Sequence, residues 1–197
     1  RREACLAPTT SVISEGTYVQ VERVLLIRHG QTDWNMEGRW QGCLPTRLNE
    51  IGKAQARALG EYLRGRPVRA IFTSDLPRAL ETAQFVGAAL GITPTLDERL
   101  REFNLGIFQG YRRDELAQKY PAEWEAFHTD RYNYVVPQGE SRRALQNRMY
   151  AAFADITSNG HGPEAALISH GGALGLLLEK LFGDPPELKN VRFENTS

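Results

Sequence analysis

The sequence predicts an α/β protein of three layers, a mainly parallel central sheet between helices, and two features of the residue pattern predict it. Three short apolar runs, VLLI at 24–27, AIF at 70–72 and AALI at 165–168, are β-branched in part and stop abruptly at polar residues. Such runs suit strands buried on both faces, as parallel strands are. Between them lie segments with apolar residues at three- and four-residue steps, the period of amphipathic helices. Strands alternating with helices place the sheet in the parallel class.

Along the chain, the first run delivers Arg28-His29-Gly30 at its carboxyl end. The spacing then predicts a helix over 49–64, with Ile51, Ala54, Ala58, Leu59, Tyr62 and Leu63 on its inner face and Asn49 as N-cap. The second run ends in Thr73-Ser74-Asp75. An Ala-rich helix follows over 76–90, with Asp75 as its cap, Pro77 in the opening turn and Gly91 at its end. The stretch 100–138 breaks the alternation. Short helical pieces at 113–119 and 122–128, parted by Pro121 and followed by an aromatic-rich loop, predict a small lid over the carboxyl ends of the strands. A longer helix is predicted over 141–157, with Leu145, Met149, Ala152, Phe153 and Ile156 on one face and Asn159-Gly160 as its stop. The third run delivers Ser169-His170-Gly171, and a last helix over 173–182 closes at Gly183 before Pro185-Pro186. The final VRFENTS begins like another strand and stops almost at once, as a chain lacking a natural C-terminal tail would.

Size and charge bound the function. A chain of 197 residues fits a single domain, domains typically holding ~100–200 residues. We expect residues 22–197 to form it, after a loose lead-in over 1–21 that is basic at first and carries no signal-peptide core. Lys and Arg number 24 against 24 Asp and Glu, so the formal net charge is zero. That balance gives no general field to gather nucleic acid or an anionic membrane, and any anion site must be local. No apolar run approaches the ~20 residues that span a bilayer. Cys5 and Cys43 are too few for a disulfide framework and neither lies in a CxxC pair, which favours a reducing cytoplasm.

In open α/β sheets ligands bind outside the carboxyl ends of the strands. Two of the four histidines, His29 and His170, arrive there in one setting: apolar strand, His, then Gly. A lone histidine after a strand is usually a satisfied structural residue; two, with arginines beside them, point to a site. Gly30 and Gly171-Gly172 allow tight turns and close backbone approach, and a helix opening at Gly172 aims free N–H groups at an anion. Arg28 directly follows a buried strand, where a cation must be paired or solvated. Arg78 falls in the first turn of its helix, where the macrodipole disfavours positive charge by ~0.3–1 kcal/mol. Its side chain tilts back over the strand ends. Alone, Arg78 would read as a surface arginine paired with Glu81 or Asp75. Guanidinium groups suit bidentate binding of phosphate oxygens, so phosphate is the natural anion.

Two histidines, two arginines and helix-start amides, without an evident carboxylate cage, describe a phosphoryl-transfer site that needs neither metal nor cofactor. The chain contains no HExxH, GxxxxGK[ST], GxSxG or GxGxxG motif. Cys43 lacks the Arg six positions on that a cysteine-phosphatase loop requires, residue 49 being Asn. A neighbouring arginine disfavours the imidazolium, which keeps His29 neutral and nucleophilic near neutral pH.

The stretch LLIRHGQTDWN at 25–35 resembles the signature of the histidine phosphatase superfamily, which includes cofactor-dependent phosphoglycerate mutases and many small-molecule phosphatases. SDLPRALETA at 74–83 resembles its second arginine motif, ISHGG at 168–172 its second histidine motif, and PQGES at 137–141 its PxGES element. The motifs keep the family's order, and the likeness runs from about residue 22 to the C-terminus. The resemblance implies a phosphoglycerate mutase-like fold with His29 as the nucleophile that takes the phosphoryl group. It implies Arg28, Arg78 and His170 as ligands of the phosphoryl oxygens. Glu102, in LREFNLGIFQG, is implied as the acid/base that protonates the leaving oxygen and then activates water, with Glu98 a rival less well placed. Gln41, in GRWQG, resembles a phosphate-pocket residue, and Asn35, Thr32 and Gly171 are further substrate-binding candidates. Gln109 stands where the family often has Glu, and Pro45-Thr46-Arg47-Leu48-Asn49 replaces the usual Asp-x-Pro-Leu-Thr. Both departures flank the pocket and bear on substrate preference.

The family's phosphoglycerate mutases carry a longer basic insertion after the acid loop, with a Trp-Arg-Arg element not found here. DELAQKYPAEWEAF instead leads compactly to the PxGES element, which resembles broad-specificity and sugar-phosphate phosphatases. The expected activity is hydrolysis of small phosphomonoesters. The expected partner is a small phosphorylated metabolite, with neither nucleic acid nor membrane, and an oligomer is compatible with the sequence without being specified by it. A mutase using the same phosphohistidine is the alternative. A phosphate-binding protein without turnover is a third reading, but such a chain would ordinarily lack one of His29, Arg78, Glu102 or His170, and all are present. Arg112, Arg113, Trp124, Phe127, Tyr132 and Tyr134 either form a lid that reads the non-phosphate end of the substrate or pack the excursion onto the body; sequence weighs the two equally.

Overall fold

The computed structural model of the chain describes residues 21–183 and 193–196, so nearly all of the expected lead-in lies outside the described residues. The three apolar runs are strands β1 (Arg23–Arg28), β2 (Val68–Thr73) and β4 (Glu164–Ser169), each longer than its run. A two-residue strand, β3 (Thr95–Leu96), joins the edge, and all four pair in parallel in the order β1-β4-β2-β3. Sequence missed β3 because two exposed residues carry no periodicity. β4 is buried throughout, as the central strand of a parallel sheet should be.

The period-2 alternation of side chains divides the core into two layers. Leu25, Ile27, Ile71, Ala166 and Ile168 face one side, against α2 (Glu50–Leu63) and α3 (Pro77–Leu90). Val24, Leu26, Phe72, Ala165 and Leu167 face the other, against α6 (Arg142–Ser158) and α7 (Gly171–Phe182). The molecule is therefore the predicted three-layer α/β/α arrangement. Among the described residues, no helix is long and apolar enough to cross a membrane.

Two details of the helices differ from expectation. Asn49 caps α2 as predicted, its side chain accepting the Gly52 N–H, but Ile51 and Tyr62 are 55% and 72% exposed. The buried face is Gly52, Ala56, Gly60 and Leu63. A Cβ on Gly60 would stand 2.8 Å from Ala89 Cβ, so α2 and α3 meet along a seam of small residues that hydrophobic patterning does not register. Asp75 is not the cap of α3; Leu76 occupies that position without a side-chain bond, Pro77 follows at its first turn, and the Asp75 carboxylate accepts from Arg101 Nε at 2.7 Å instead. Ser141 caps α6, accepting from the Ala144 N–H. α7 opens at Gly171, earlier than predicted, and ends at Gly183.

The excursion carries α4 (Arg113–Lys119) and α5 (Pro121–Thr129), with Pro121 inside the first turn of α5 rather than between two helices. Aromatic contacts fasten it: Phe127 meets Phe108 at 5.6 Å between ring centroids, and Trp124 meets Trp40 at the same distance. Trp124 and Tyr134 pack against the core, the Tyr132 hydroxyl donates to Glu179, and Arg112 pairs with Asp114. Packing accounts for Trp124, Tyr132 and Tyr134, while Phe127 also faces a cavity. In the described part of VRFENTS, residues 193–196 form no strand; the Thr196 N–H donates to Arg28 O and so ties this segment to the end of β1.

Candidate active site

β1 and β4 end side by side, so the residues that leave them meet. The His29 N–H continues the ladder by donating to Ser169 O at 2.9 Å, and the His29 and His170 rings lie 5.2 Å apart between centroids. Both are buried, at 3% and 0% exposed. His29 Nδ1 is 2.7 Å from Gly30 O. A carbonyl only accepts, so the proton sits on Nδ1 and the lone pair on Nε2. The same tautomer satisfies Arg78, whose Nε–H donates to Nε2 at 3.2 Å. Burial, and then the Arg78 charge, hold the His29 pKa well below 6.5.

The loop that bears His29 is pressed against the start of α2. A Cβ on Gly30 would stand 2.5 Å from Gly52 O, and one on Gly52 would stand 2.1 Å from Gln31 O. Only glycines permit that approach. The Gly30 N–H donates to Thr82 Oγ1 on α3, which donates in turn to Arg78 O.

Arg78 is 1% exposed, and all its nitrogens are engaged. Besides Nε on His29, Nη1 donates to Leu44 O and Thr46 Oγ1, and Nη2 donates to Gly42 O at 2.7 Å. Burial pushes its pKa down to about 10, which leaves it a cation at neutral pH. The surface pairings open to it in the sequence are not made: Asp75 binds Arg101, and Glu81 binds Arg47 and the Leu48 N–H. Among the described residues this guanidinium therefore has no carboxylate partner in hydrogen-bond contact.

Among the described residues, two buried side-chain nitrogens have no hydrogen-bond partner, Arg28 Nε and His170 Nδ1. Arg28 Nη1 is held by Phe193 O at 2.8 Å, and burial lowers the Arg28 pKa, opposed by Glu102 and Glu194. His170 Nε2 lies 2.9 Å from Ser74 Oγ. That hydroxyl accepts the Leu76 N–H and keeps its own hydrogen to give to Nε2, the arrangement that leaves the His170 proton on Nδ1. Burial, followed by Arg78 and His29, depresses the His170 pKa well below 6.5, so the ring carries one proton and not two.

Glu102 lies in the loop between short 3₁₀ turns at 98–100 and 106–108. Its Oε1 accepts the Phe103 N–H at 2.8 Å and its Oε2 the Gly172 N–H at 3.1 Å. The Gly172 amide expected to face an anion is thus taken by the carboxylate. Gly171 serves by its size: a Cβ there would stand 3.3 Å from Arg28 Nε. Glu98 is exposed and pairs with Arg101, away from the cavity.

These groups converge on a cavity of about 440 Å³ whose wall includes Arg28, His29, Asn35, Gln41, Gly42, Arg78, Glu102 and Gly172. Thr32, Gly171 and His170 are not on that wall. Thr32 caps α1 (Asp33–Met36) and binds Asn35 reciprocally, so it holds Asn35 in place. Gln41 accepts the Thr46 hydroxyl, and Gln109 accepts the Cys43 N–H at 2.6 Å, bracing the loop beneath Arg78. The outer wall is Trp34, Trp40, Phe103, Leu105 and Phe127, with Arg39 and Arg142. Of the six lid candidates only Phe127 is among them. Sequence reasoning missed Ser74, Thr82, Trp34, Trp40 and Arg142 as site residues, although the first four lie inside the quoted motifs and Arg142 adjoins one. Among the described residues, no group of three or more His, Cys, Asp or Glu is arranged to hold a metal ion.

Comparison with known proteins gives one consistent result. The model of the histidine phosphatase superfamily (branch 1) matches residues 24–197. A Yersinia pestis protein named "Probable phosphoglycerate mutase GpmB" is 35% identical over 176 residues, 89% of this chain and 82% of that one. The alpha-ribazole phosphatase from Shigella flexneri superposes with a TM-score of 0.77 at 28% identity, covering 87% of this chain and 86% of the other. A mycobacterial glucosyl-3-phosphoglycerate phosphatase solved with VO3 superposes with a TM-score of 0.76 at 32% identity, covering 90% of both chains.

Proposed function

The chain belongs to the histidine phosphatase superfamily, and on that premise we propose that it hydrolyses small phosphomonoesters through a phosphohistidine on His29 Nε2. The observation that carries the reading is the fixed tautomer of a neutral, buried His29, whose Nε2 lone pair faces the Arg78 guanidinium. No general base is needed to prepare this nucleophile. As Nε2 attacks phosphorus in line, the N–P bond forms while the bond to the leaving oxygen breaks. Arg78 Nε–H passes from Nε2 to a phosphoryl oxygen, and Arg28 Nε–H and His170 Nδ1–H are the two buried donors left for the others. A protonated Glu102 gives its proton to the leaving oxygen. The resulting carboxylate then takes a proton from the water that attacks the phosphohistidine, returning His29 and releasing phosphate. This chemistry asks for no metal ion and no cofactor. The fold's free thiol, Cys43, fits a reducing cytoplasm.

The outer wall supports a phosphatase over a mutase. A phosphoglycerate brings a carboxylate, whereas the outer wall is mostly apolar and its two cations spend part of their donors on the protein, Arg39 on Glu37 and Gly110 O and Arg142 Nη1 on Phe127 O and Arg131 O. The rest of that wall is aromatic and aliphatic, suited to a leaving group with an uncharged face. The mutase reading is kept as the alternative because of the named Yersinia relative. The test is phosphate release from a panel of phosphomonoesters in EDTA, beside His29→Ala. Release that resists chelation and is abolished in the variant supports the proposal. Isomerised product without free phosphate, in the presence of 2,3-bisphosphoglycerate, would move the assignment to the mutase.

A further inference from the structure

Among the described residues the Glu102 carboxylate is gripped by main-chain amides alone, but its own backbone is clamped by a side chain no part of the reaction uses. Arg148, on α6, donates from Nη1 to Arg99 O at 2.8 Å and Arg101 O at 2.6 Å, and from Nη2 to Glu102 O at 2.8 Å. Its Nε and Nη2 also grip the two oxygens of Glu140, at 3.1 and 2.6 Å. Glu140 completes the buckle by accepting the Asn104 N–H through Oε1 at 2.9 Å, while its own N–H donates to Asn104 O. One ion pair, largely screened from water, thus binds the carbonyls before and at Glu102 and the amide of Asn104 beyond it. The loop has no regular structure over 101–105 with which to hold itself.

The close fit of this loop on the segment at 137–139 fixes its height. A Cβ on Gly106 would stand 2.0 Å from Pro137 O, and one on Gly139 would stand 2.3 Å from Asn104 O. Backbone meets backbone here, and Arg148 holds the Glu102 carbonyl itself from α6. A misplacement of about 1 Å in a catalytic group costs on the order of 100-fold. We infer that Arg148 and Glu140 are positioning residues for proton transfer by Glu102. This rests on the assignment of Glu102 as the acid given above.

The experiment separates positioning from mere support through the leaving group. kcat/KM reports the steps up to transfer onto His29, and a general acid matters little when the leaving oxygen is weakly basic. The probes are 4-nitrophenyl phosphate and n-butyl phosphate, with Glu102→Gln as reference. The reference should lose about 100-fold or more on the butyl ester and under about 5-fold on the nitrophenyl ester. Arg148→Lys and Glu140→Gln should follow the same ordering, with about 10-fold or more lost on the butyl ester and under about 3-fold on the other. Equal losses on both esters, or no loss on either, beside a normally ordered reference would overturn the positioning role and leave the acid assignment standing. Equal losses in Glu102→Gln would remove the acid assignment and the inference with it. If one variant fails to fold the other decides, and failure of both would make the pair structural only.

Discussion

At the scale of single residues, the site works by fixing protons. Both rings carry the proton on Nδ1, to different ends: His29 spends it on Gly30 O and presents the Nε2 lone pair to Arg78 and the phosphorus, whereas His170 turns Nε2 to Ser74 and keeps Nδ1–H without a protein partner. Ser74→Ala removes the hydroxyl that faces His170 Nε2 without removing any of the proposed phosphate ligands. We expect kcat/KM on phosphomonoesters to fall by roughly 10-fold or more, as when one donor to a developing charge is misdirected, with KM for the ester the lesser change. Unchanged kcat/KM in a folded Ser74→Ala protein would mean that the tautomer is set elsewhere. Sequence reached His29, Arg28 and Arg78 because each breaks a local rule, a cation or a histidine delivered at the end of an apolar run. It did not reach Ser74 or Thr82. Hydroxyls are common after strands and in helices, and what distinguishes these two is a partner 96 or 52 residues away.

Elements of the fold act on the site through contacts between backbones. The opening of α2 lies against the loop after β1, with Gly52 facing Gln31 O at a distance no side chain tolerates. Gly52→Ala must push either the helix or the loop, and the loop carries His29. The expected cost is about 1–3 kcal/mol of stability, as for other overpacked sites, together with a loss of activity. Gly175 gives the contrast. It lies inside α7 with nothing within 4 Å of a built Cβ, so Gly175→Ala should stabilise by roughly 0.5–1 kcal/mol through helix propensity alone. Urea titration of both variants checks the pair, and a destabilised Gly175→Ala protein would contradict the account of α7. The extents of α2 and α6 were legible in capping residues and period, while period alone located α3 and α7, whose predicted cap and start were not those found. The inner face of α2 was not, because its packing depends on the absence of side chains, which a hydrophobic pattern counts as nothing.

For the molecule as a whole, sequence disclosed the layers but not the strand order, since the placing of β4 between β1 and β2 depends on pairing between residues as distant in the chain as Arg23 and Glu164 or Val68 and Glu164. That placing is what brings the two histidines together and buries them, and it has a consequence for stability. Each histidine has its pKa held well below 6.5 in the fold, whereas the unfolded chain restores the ordinary value. Between the folded and unfolded values, the unfolded state binds more protons, so stability rises with pH across that window and is lost as pH falls from 6.5. Each histidine contributes at most about 1.4 kcal/mol per pH unit. The carboxylates add a second stage of the same sign. Glu164, at the start of β4, is held low by Arg66 and then Arg23, and Asp75 is held low by Arg101, so both withdraw stability as pH falls through the ordinary carboxylate range and below it. Activity should not follow the first stage, because folded His29 remains the neutral nucleophile below pH 6.5. We therefore expect the Tm to fall steadily from pH 7 to 5 while kcat at 25 °C, measured on a substrate whose own ionisation is accounted for, persists. His170→Asn should flatten part of the Tm slope between pH 6.5 and 5. A Tm independent of pH over that interval in the parent protein would show that the two rings titrate in the fold as they do in water, and the neutral-nucleophile argument would lose its footing.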